Sequence, residues 1–531
     1  MATSQGNRKW KKAVALLLTA ALACSIPLSG CSNNNDAGNA SAGENGGASA
    51  GSEAENQSTE PKRLVLFNPF QTATSTSENI DLIASTLEEM MAEDGLYIDL
   101  DWVVIPRDSF EEKKNTLLAG GEQIDGFIGD SDDLGGDIQK GGLVLPITDL
   151  IDEYGTHLKE IIPDSTWAEM MQGDGEIYAI PSYNRTYWTG AVIRKDWLDE
   201  AGLDMPETVE DLEEAMEAFK QREGVMPAGG KPWYIEPPLA SAISGGVTAE
   251  NGWETESPEG EFIQAYEHPD YQKFLEMYNR WLDNGWFDPD FLVTEETNYE
   301  SMLYSGRLGI YWCDPTQIDK FIPLLQAEDP DAELEVLPIL SGPMGEAALQ
   351  ETTGVRNVAY VTTMSENPEL VVQYFDWLVS DPEHYHVAKY GIEGTHYVLE
   401  DDGKWRSPDS AGGDDTKRGY EDIFAPLEFE DLMIDKQTLY YDTEALQDYF
   451  RSLPSYTHPF KDPKGNFVID WTDIGNYNAL DIWTEMYNIA CEARPLSDWE
   501  VIVQEYEDSV AVAYGPIREQ YKAWKEKVGR S

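Results

Sequence analysis

RLVLFNPFQTATSTSENIDLIASTLEEMMAEDGLYIDLDWVVIPRDSFEEKKNTLLAGGEQIDGFIGDSDD, residues 63–133, decides how the chain folds. Leu64-Val65-Leu66-Phe67 is a short continuous apolar run, the pattern of a strand buried on both faces. Across 78–94, Ile80, Ile83, Leu87 and Met90 recur at helical spacing. Tyr97 to Ile105 alternates apolar and polar residues and reads as a second strand. A helix is expected from Ser109 through Leu118, then a third strand from Ile124 to Gly129. Strands alternating with helices imply an α/β fold with a parallel or mostly parallel sheet. Ligands of such sheets sit beyond the carboxyl ends of the strands. Here those ends are Asn68-Pro69-Phe70-Gln71-Thr72 and Asp130-Ser131-Asp132-Asp133.

Downstream, a strand is expected at 187–194, with helices at 195–201, 208–221, 269–284 and 368–380. The last hundred residues read as mainly helical, at 436–451, 472–491 and 498–526. Pro-rich or Gly-rich stretches near 225–238 and 341–345 read as loops or crossings between layers. No internal repeat is visible. A chain of 531 residues is too long for one compact domain, and two or three large units are expected.

The other end of the chain carries a different signal. Arg8, Lys9, Lys11 and Lys12 precede an apolar run from Ala13 to Ala23 broken only by Thr19. A basic region before so short an apolar run makes a secretory signal, not a membrane span. Leu28-Ser29-Gly30-Cys31 follows and resembles the lipobox of bacterial lipoproteins. That resemblance implies a signal peptide of residues 1–30 and lipidation of Cys31, whose thiol takes the diacylglyceryl group. Residues 32–60 contain no large apolar side chain and read as a flexible tether. The expected location is therefore the extracellular face of the cell membrane, held by the N-terminal lipid alone. Cys24 leaves with the signal and Cys31 is acylated, so only Cys313 and Cys491 could pair, which is no disulfide framework.

The formal net charge is −62, from 37 basic and 99 acidic residues. A field of that sign repels nucleic acid and anionic lipid, and no basic stripe with interleaved aromatics opposes it. Nucleic acid is therefore excluded as a partner. With so many acids, carboxylate pairs also arise by chance throughout.

Several segments together resemble the extracellular solute-binding proteins of family 1, the maltose-binding type, and within it the large lipoprotein branch of the Firmicutes. They are DGEIYAIPSYN (174–184), IRKDWLDEAGLDMPETVEDLEEAMEAF (193–219), GRLGIYWCDP (306–315), NPELVVQYFDWLVSDPE (367–383), YGIEGTHYVLEDDGKW (390–405) and DWEVIVQEYEDSV (498–510). Each is weak alone, but their order and spacing are specific. The resemblance covers about 61–531 and departs at 222–262 and 406–470. It implies a type II periplasmic-binding-protein-like fold of two discontinuous lobes joined by a hinge, with a helical C-terminus. Lobe one would be 61–183 plus 345–388, and lobe two 184–344 plus 389–531. It also implies a monomer that captures a carbohydrate, an oligosaccharide above all, and presents it to the permease subunits of an ABC importer, without enzymatic activity.

A pyranose stacks its C–H patch on an aromatic face and pairs its hydroxyls with Asp, Glu, Asn or Arg. On that chemistry the candidate ligand contacts are Asn68 and Gln71 after the first strand and Asp130 and Asp132 after the third. Tyr183, Arg185 and Trp188 follow the first crossing, Trp312 and Asp314 end a strand, and Tyr390, Glu393 and His396 stand in the Gly-rich loop. Each has a plainer role open to it. A Trp among 16 is more often core, Arg185 has many acids to pair with, Asp130 suits a helix N-cap, and His396 suits a structural hydrogen bond.

Two rival readings use the same residues. A lipid-anchored carbohydrate-active enzyme needs two carboxylates facing across a cleft, and 99 acids neither prove nor exclude such a pair. A peptide-binding or signalling lipoprotein would share the fold. No G-x-S-x-G, H-E-x-x-H or Walker motif occurs. His384 and His386 fall on nearly opposite faces of an expected helix, which disfavours zinc. No cofactor is expected. Structural calcium is the one metal for which EDDGKW (400–405) and DSDD (130–133) are oxygen-rich enough, although the twelve-residue EF-hand pattern is absent.

Overall fold

The computed structural model describes residues 60–530, apart from 70–76, 131–141, 173–174, 249–253, 353, 407–420, 437, 439, 463, 465, 471–473, 475–479, 481 and 492. The leader, Cys31 and the tether lie outside the described residues. Numbered along the chain, the strands that carry the fold are β1 Lys62–Asn68, β2 Ile98–Val104, β3 Gly126–Asp130, β4 Ala179–Pro181, β5 Gly190–Arg194, β6 Met226–Gly230, β7 Leu308–Cys313, β8 Leu334–Val336, β9 Leu349–Gln350, β10 Asn357–Val361 and β11 Ser455–Tyr456. The helices used below are α1 Ser77–Glu93, α2 Arg107–Gly120, α3 Val209–Lys220, α4 Pro232–Ile243, α5 Gln272–Asp283, α6 Pro368–Ser380, α7 Pro382–Tyr390, α8 Thr443–Ser452 and α9 Trp499–Val528.

The opening stretch folds as its pattern dictates. β1 pairs in parallel with β2, Leu64 opposite Leu100, and with β3, Leu66 opposite Gly126. Leu64 and Leu66 enter one core with Ile83 and Leu87 of α1, while Val65 and Phe67 enter the core on the other face with Phe127 and Tyr360. Burial on both faces is why β1 reads as an unbroken apolar run. The first sheet runs β2-β1-β3-β10-β4, with β10 antiparallel to both neighbours.

The second sheet runs β8-β5-β7-β6, with β6 and β7 parallel and β5 antiparallel to β7 and β8. The segment leading into β6 and α4 departs from expectation. Residues 225–238, expected as a loop or a crossing between layers, hold β6 and the start of α4. Pro232 occupies the first turn of α4, where no intrahelical N–H is needed. Pro237 and Pro238 lie inside that helix and are buried. Burial overrides their poor helix propensity. α3 obeys local rules: Thr208 and Asp211 form a reciprocal capping box, and Val209, Leu212, Met216 and Phe219 face the core.

The expected lobe boundaries move in two places. Residues 389–434 were assigned to the second lobe, but Ile423, Phe424, Leu427 and Phe429 complete the first lobe's core. The Tyr374 hydroxyl of α6 donates to the Phe424 carbonyl at 2.9 Å. Residues 345–350 were assigned to the first lobe, but β9 pairs with β11 and Leu349 joins the core around Tyr311. Both shifts have one cause. These segments are short and irregular, and only the core available to receive their apolar side chains decides which lobe they join.

Strand polarity then positions a cleft. β1 and β3 end at Asn68 and Asp130, and at that same edge β10 begins at Asn357 and β4 ends at Pro181. In the second sheet, β6 ends at Gly230 and β7 at Cys313, where β5 begins at Gly190. The crossing 182–189 joins these two edges, and 351–356 leads from β9, paired with β11 outside both sheets, into β10 at the first edge. The carboxyl ends of the parallel strands in both sheets therefore face the crossing segments.

Candidate functional site

The crossings are tied together tightly. The Asn184 N–H donates to the Gly354 carbonyl at 2.8 Å, and the Tyr183 N–H to the Glu428 carbonyl at 2.7 Å. Gly354 has φ +78°, and a Cβ there would lie 3.1 Å from the Asn184 nitrogen, so this close approach requires glycine. Glu428 accepts from Lys389 Nζ at 2.9 Å and from Asn184 Nδ2 at 2.8 Å. The Lys389 charge foremost, with these hydrogen bonds, holds the Glu428 carboxyl down at about 2. A stiff polar knot therefore sits where the lobes join.

Beside it stands an aromatic and charged cluster. Trp188, from the first crossing, meets Tyr234 edge-on with ring centroids 5.7 Å apart. Trp233 lies 6.2 Å from Tyr234. Both Trp233 and Tyr234 come from the first turn of α4, immediately after β6. Arg356, from the second crossing, places its guanidinium 4.9 Å from the Trp188 ring centroid. Lys231 Nζ donates to the Phe291 and Leu292 carbonyls, 3.1 Å each. Burial, opposed by Lys231, raises the Glu296 carboxyl above its ordinary range. Burial foremost also raises the Tyr234 phenol, and the charge of Glu296 adds to it. Rings, a guanidinium and carboxyl groups on facing strand ends are the parts a sugar site needs.

The residues expected from sequence divide. Trp188 and Tyr183 line the crossing region, half-buried. Arg185 is exposed but already paired: its Nε donates to Glu430 at 2.8 Å and its backbone N–H to the same carboxylate at 2.9 Å. Trp312 is core rather than platform. It is 1% exposed and stacks on Trp281 with centroids 6.4 Å apart. Its neighbour on β7, Cys313, joins a different core on the opposite face, so the strand is covered on both faces and Trp312 is buried whichever way it turns. Asp314 caps the turn that follows, accepting from the Thr316 N–H at 3.0 Å and the Thr316 hydroxyl at 2.7 Å. Burial raises its carboxyl despite those bonds.

Tyr390 is buried against Tyr397 and Trp405, and its hydroxyl accepts from the Ile434 N–H at 2.9 Å. That packing replaces the expected ligand contact. His396 is buried, with Nδ1 accepting from the Ile392 N–H at 3.1 Å and Nε2 3.4 Å from Asn79 Oδ1. It braces the Gly-rich loop against the start of α1, and Glu393 on that loop is exposed. Asn68 is buried at the end of β1 and its carbonyl accepts from the Ile105 N–H. Asp130 ends β3, but its side chain lies outside the described residues, as do Gln71 and Asp132.

Trp233, Tyr234, Glu296 and Arg356 were missed. The available signal was the Gly-Gly-Lys-Pro-Trp-Tyr run at 229–234, which has glycines for close approach and then two aromatics. Among the described residues no group of three or more His, Cys, Asp or Glu could hold a metal ion. EDDGKW at 400–405 forms a hairpin turn, with Gly403 at φ +86° and Glu400 paired to Arg406. Cys313 and Cys491 are both free thiols.

Two sheets joined by crossings, with a cleft at their facing carboxyl edges, define a two-lobe binding protein. The chain belongs to the family of bacterial extracellular solute-binding proteins, whose model matches residues 81–384. It is 26% identical over 354 residues to the fructooligosaccharide ABC transporter substrate-binding protein FusA of Streptococcus pneumoniae serotype 4 (strain ATCC BAA-334 / TIGR4), covering 60% of this chain and 61% of that protein. It is also 26% identical over 237 residues to the polygalacturonan/rhamnogalacturonan-binding protein YtcQ of Bacillus subtilis (strain 168), covering 43% and 47%. The match thus spans less than two thirds of either relative. Among solved structures, FusA of S. pneumoniae, an EF-hand mutant in complex with fructo-nystose, superposes with a TM-score of 0.64 at 18% identity, covering 88% of this chain and all of that one. That likeness extends the shared fold to the helical C-terminus.

Proposed function

We propose that this protein is the substrate-capturing lipoprotein of an ABC importer, anchored outside the cell by a lipid on Cys31 and binding an oligosaccharide between its lobes without chemical change. The observation that carries the reading is the Trp188, Trp233, Tyr234 and Arg356 cluster at the facing strand ends. Relatives named as a fructooligosaccharide ABC transporter substrate-binding protein and a polygalacturonan/rhamnogalacturonan-binding protein support the carbohydrate class. The family is one of substrate-binding proteins, which supports capture rather than catalysis. Closure by hinge motion about the Asn184, Gly354 and Glu428 knot would seal the ligand from water. The protein is expected to act as a monomer and to hand its ligand to permease subunits.

The test is thermal unfolding of soluble residues 32–531 with a panel of oligosaccharides, each mixture then analysed for products. At about 100 times its dissociation constant a specific ligand adds roughly 2.7 kcal/mol of stability. A shift with the sugar intact is expected. Product formation would overturn the reading in favour of an enzyme, and absence of any sugar response would turn the search to peptides.

A further inference from the structure

Arg356 is unusual for its charge environment. In this chain acids outnumber bases 99 to 37, and arginines find carboxylates readily. Arg63, Arg185, Arg194, Arg222, Arg280, Arg406, Arg451, Arg494, Arg518 and Arg530 all form ion pairs. Among the described arginine side chains only Arg307 and Arg356 do not. Arg307 Nε donates to the Ser305 hydroxyl at 2.9 Å. Arg356 is exposed, and its recorded side-chain contact is the face of Trp188.

Among the described residues the nearby acids have other direct partners. Glu428 pairs with Lys389, and Asp314 is turned to the N–H and hydroxyl of Thr316. The Arg356 charge reaches both carboxyls and lowers them without forming an ion pair to either. Glu296 lies toward Tyr234 and Lys231, and burial favours its uncharged form. The strong negative charge of the whole molecule is screened beyond about 8 Å at physiological salt, so the local balance at the cleft decides. Among the described residues there, Arg356 is a planar cation without an ion pair, with five donors and no acceptor, against the Trp188 ring. A sugar hydroxyl can accept one N–H from a guanidinium, whereas a carboxylate takes two parallel N–H groups and brings the opposite charge.

Resting on the carbohydrate reading above, we infer that the preferred ligand is an acidic oligosaccharide, a uronic-acid oligomer, with one sugar carboxylate held by Arg356 while its ring lies against the Trp188, Trp233 and Tyr234 cluster. A uronic-acid carboxylate stands directly on the pyranose ring, so ring stacking and charge pairing are satisfied by one residue of the ligand. Arg356 is then the residue that sets specificity.

Calorimetric titration of soluble residues 32–531 tests this. The probes are oligomers of galacturonate, glucuronate and alginate-type uronates, each paired with the same oligomer whose carboxyls have been reduced to alcohols. Wild type is expected to bind at least one acidic oligomer about tenfold or more tightly than its reduced partner. Arg356→Gln should bring the two within about threefold while the reduced oligomer still binds. Arg307→Gln should leave the preference unchanged. Equal or tighter binding of the neutral partners overturns the inference but leaves the carbohydrate reading standing. Equal loss of both ligands in Arg356→Gln also overturns it, because Arg356 would then only shape the platform. Failure of every sugar, acidic and neutral, with folded protein overturns the carbohydrate reading itself.

Discussion

Glu267→Gln should make the protein more stable in mild alkali. Glu267 follows the short strand Phe262–Gln264 and faces Arg518 of α9. It accepts from the Gln264 N–H at 2.6 Å, while its Oε1 is buried without a hydrogen-bond partner. Arg518 stands 3.7 Å away but is drawn to Glu507 at 3.2 Å and to the Phe262 carbonyl at 3.0 Å. Burial, with the Glu507 charge adding to it, pushes the Glu267 carboxyl up from 4.5 to about 7. The native state therefore holds this proton more tightly than the unfolded chain. Its contribution is fully present below the ordinary carboxylate range and is lost as pH rises toward 7. One pH unit of difference is worth about 1.4 kcal/mol, so the ionised form costs the folded state about 3 kcal/mol. A glutamine keeps the acceptor for Gln264 and has no charge to bury. For a unit of this size about 1 kcal/mol corresponds to about 1 °C in Tm. Calorimetric scans should show Glu267→Gln within about 1 °C of wild type at pH 5 and about 3 °C above it at pH 8. An equal loss of Tm at both pH values would refute the reasoning.

Trp188→Ala and Trp312→Ala should separate ligand contact from core. The first should weaken sugar affinity by about tenfold or more with little change in Tm, and the second should cost about 3–5 kcal/mol of stability. Retained affinity in Trp188→Ala would remove that residue from the site. Lys389→Met strands the buried Glu428 carboxylate and should cost about 3–5 kcal/mol at pH 7. Because Lys389 depresses the Glu428 carboxyl from 4.5 to about 2, its support is full above the ordinary carboxylate range and is lost as pH falls toward about 2, so the gap from wild type in Tm should narrow across that window; a constant gap would refute the pairing. Thiol titration of denatured residues 32–531 should find both Cys313 and Cys491 reactive without reductant, and fewer would reveal a disulfide. Cys31→Ala should move the protein from the membrane fraction to the medium, and continued membrane association would refute lipid anchoring.

The sequence by itself determined the local elements and their alternation. Leu64 to Phe67, the helical spacing of Ile80 to Met90, and the Thr208 to Phe219 pattern carry their structures in short-range periodicity and capping, and the family motifs rest on the same segments. Tertiary structure alone decided which lobe each irregular segment joins, because Phe424 or Leu349 is equally apolar in either core and only the core with room for it settles the matter. It also decided the site. Trp188 and Trp312 are alike in sequence terms, yet a strand covered on both faces buries one and a crossing presents the other. Arg185 and Arg356 are likewise alike until Glu430 is seen beside the first. A side chain's partner 168 or 245 residues away leaves no mark on local pattern, since the pairing exists only after two distant segments meet at one edge.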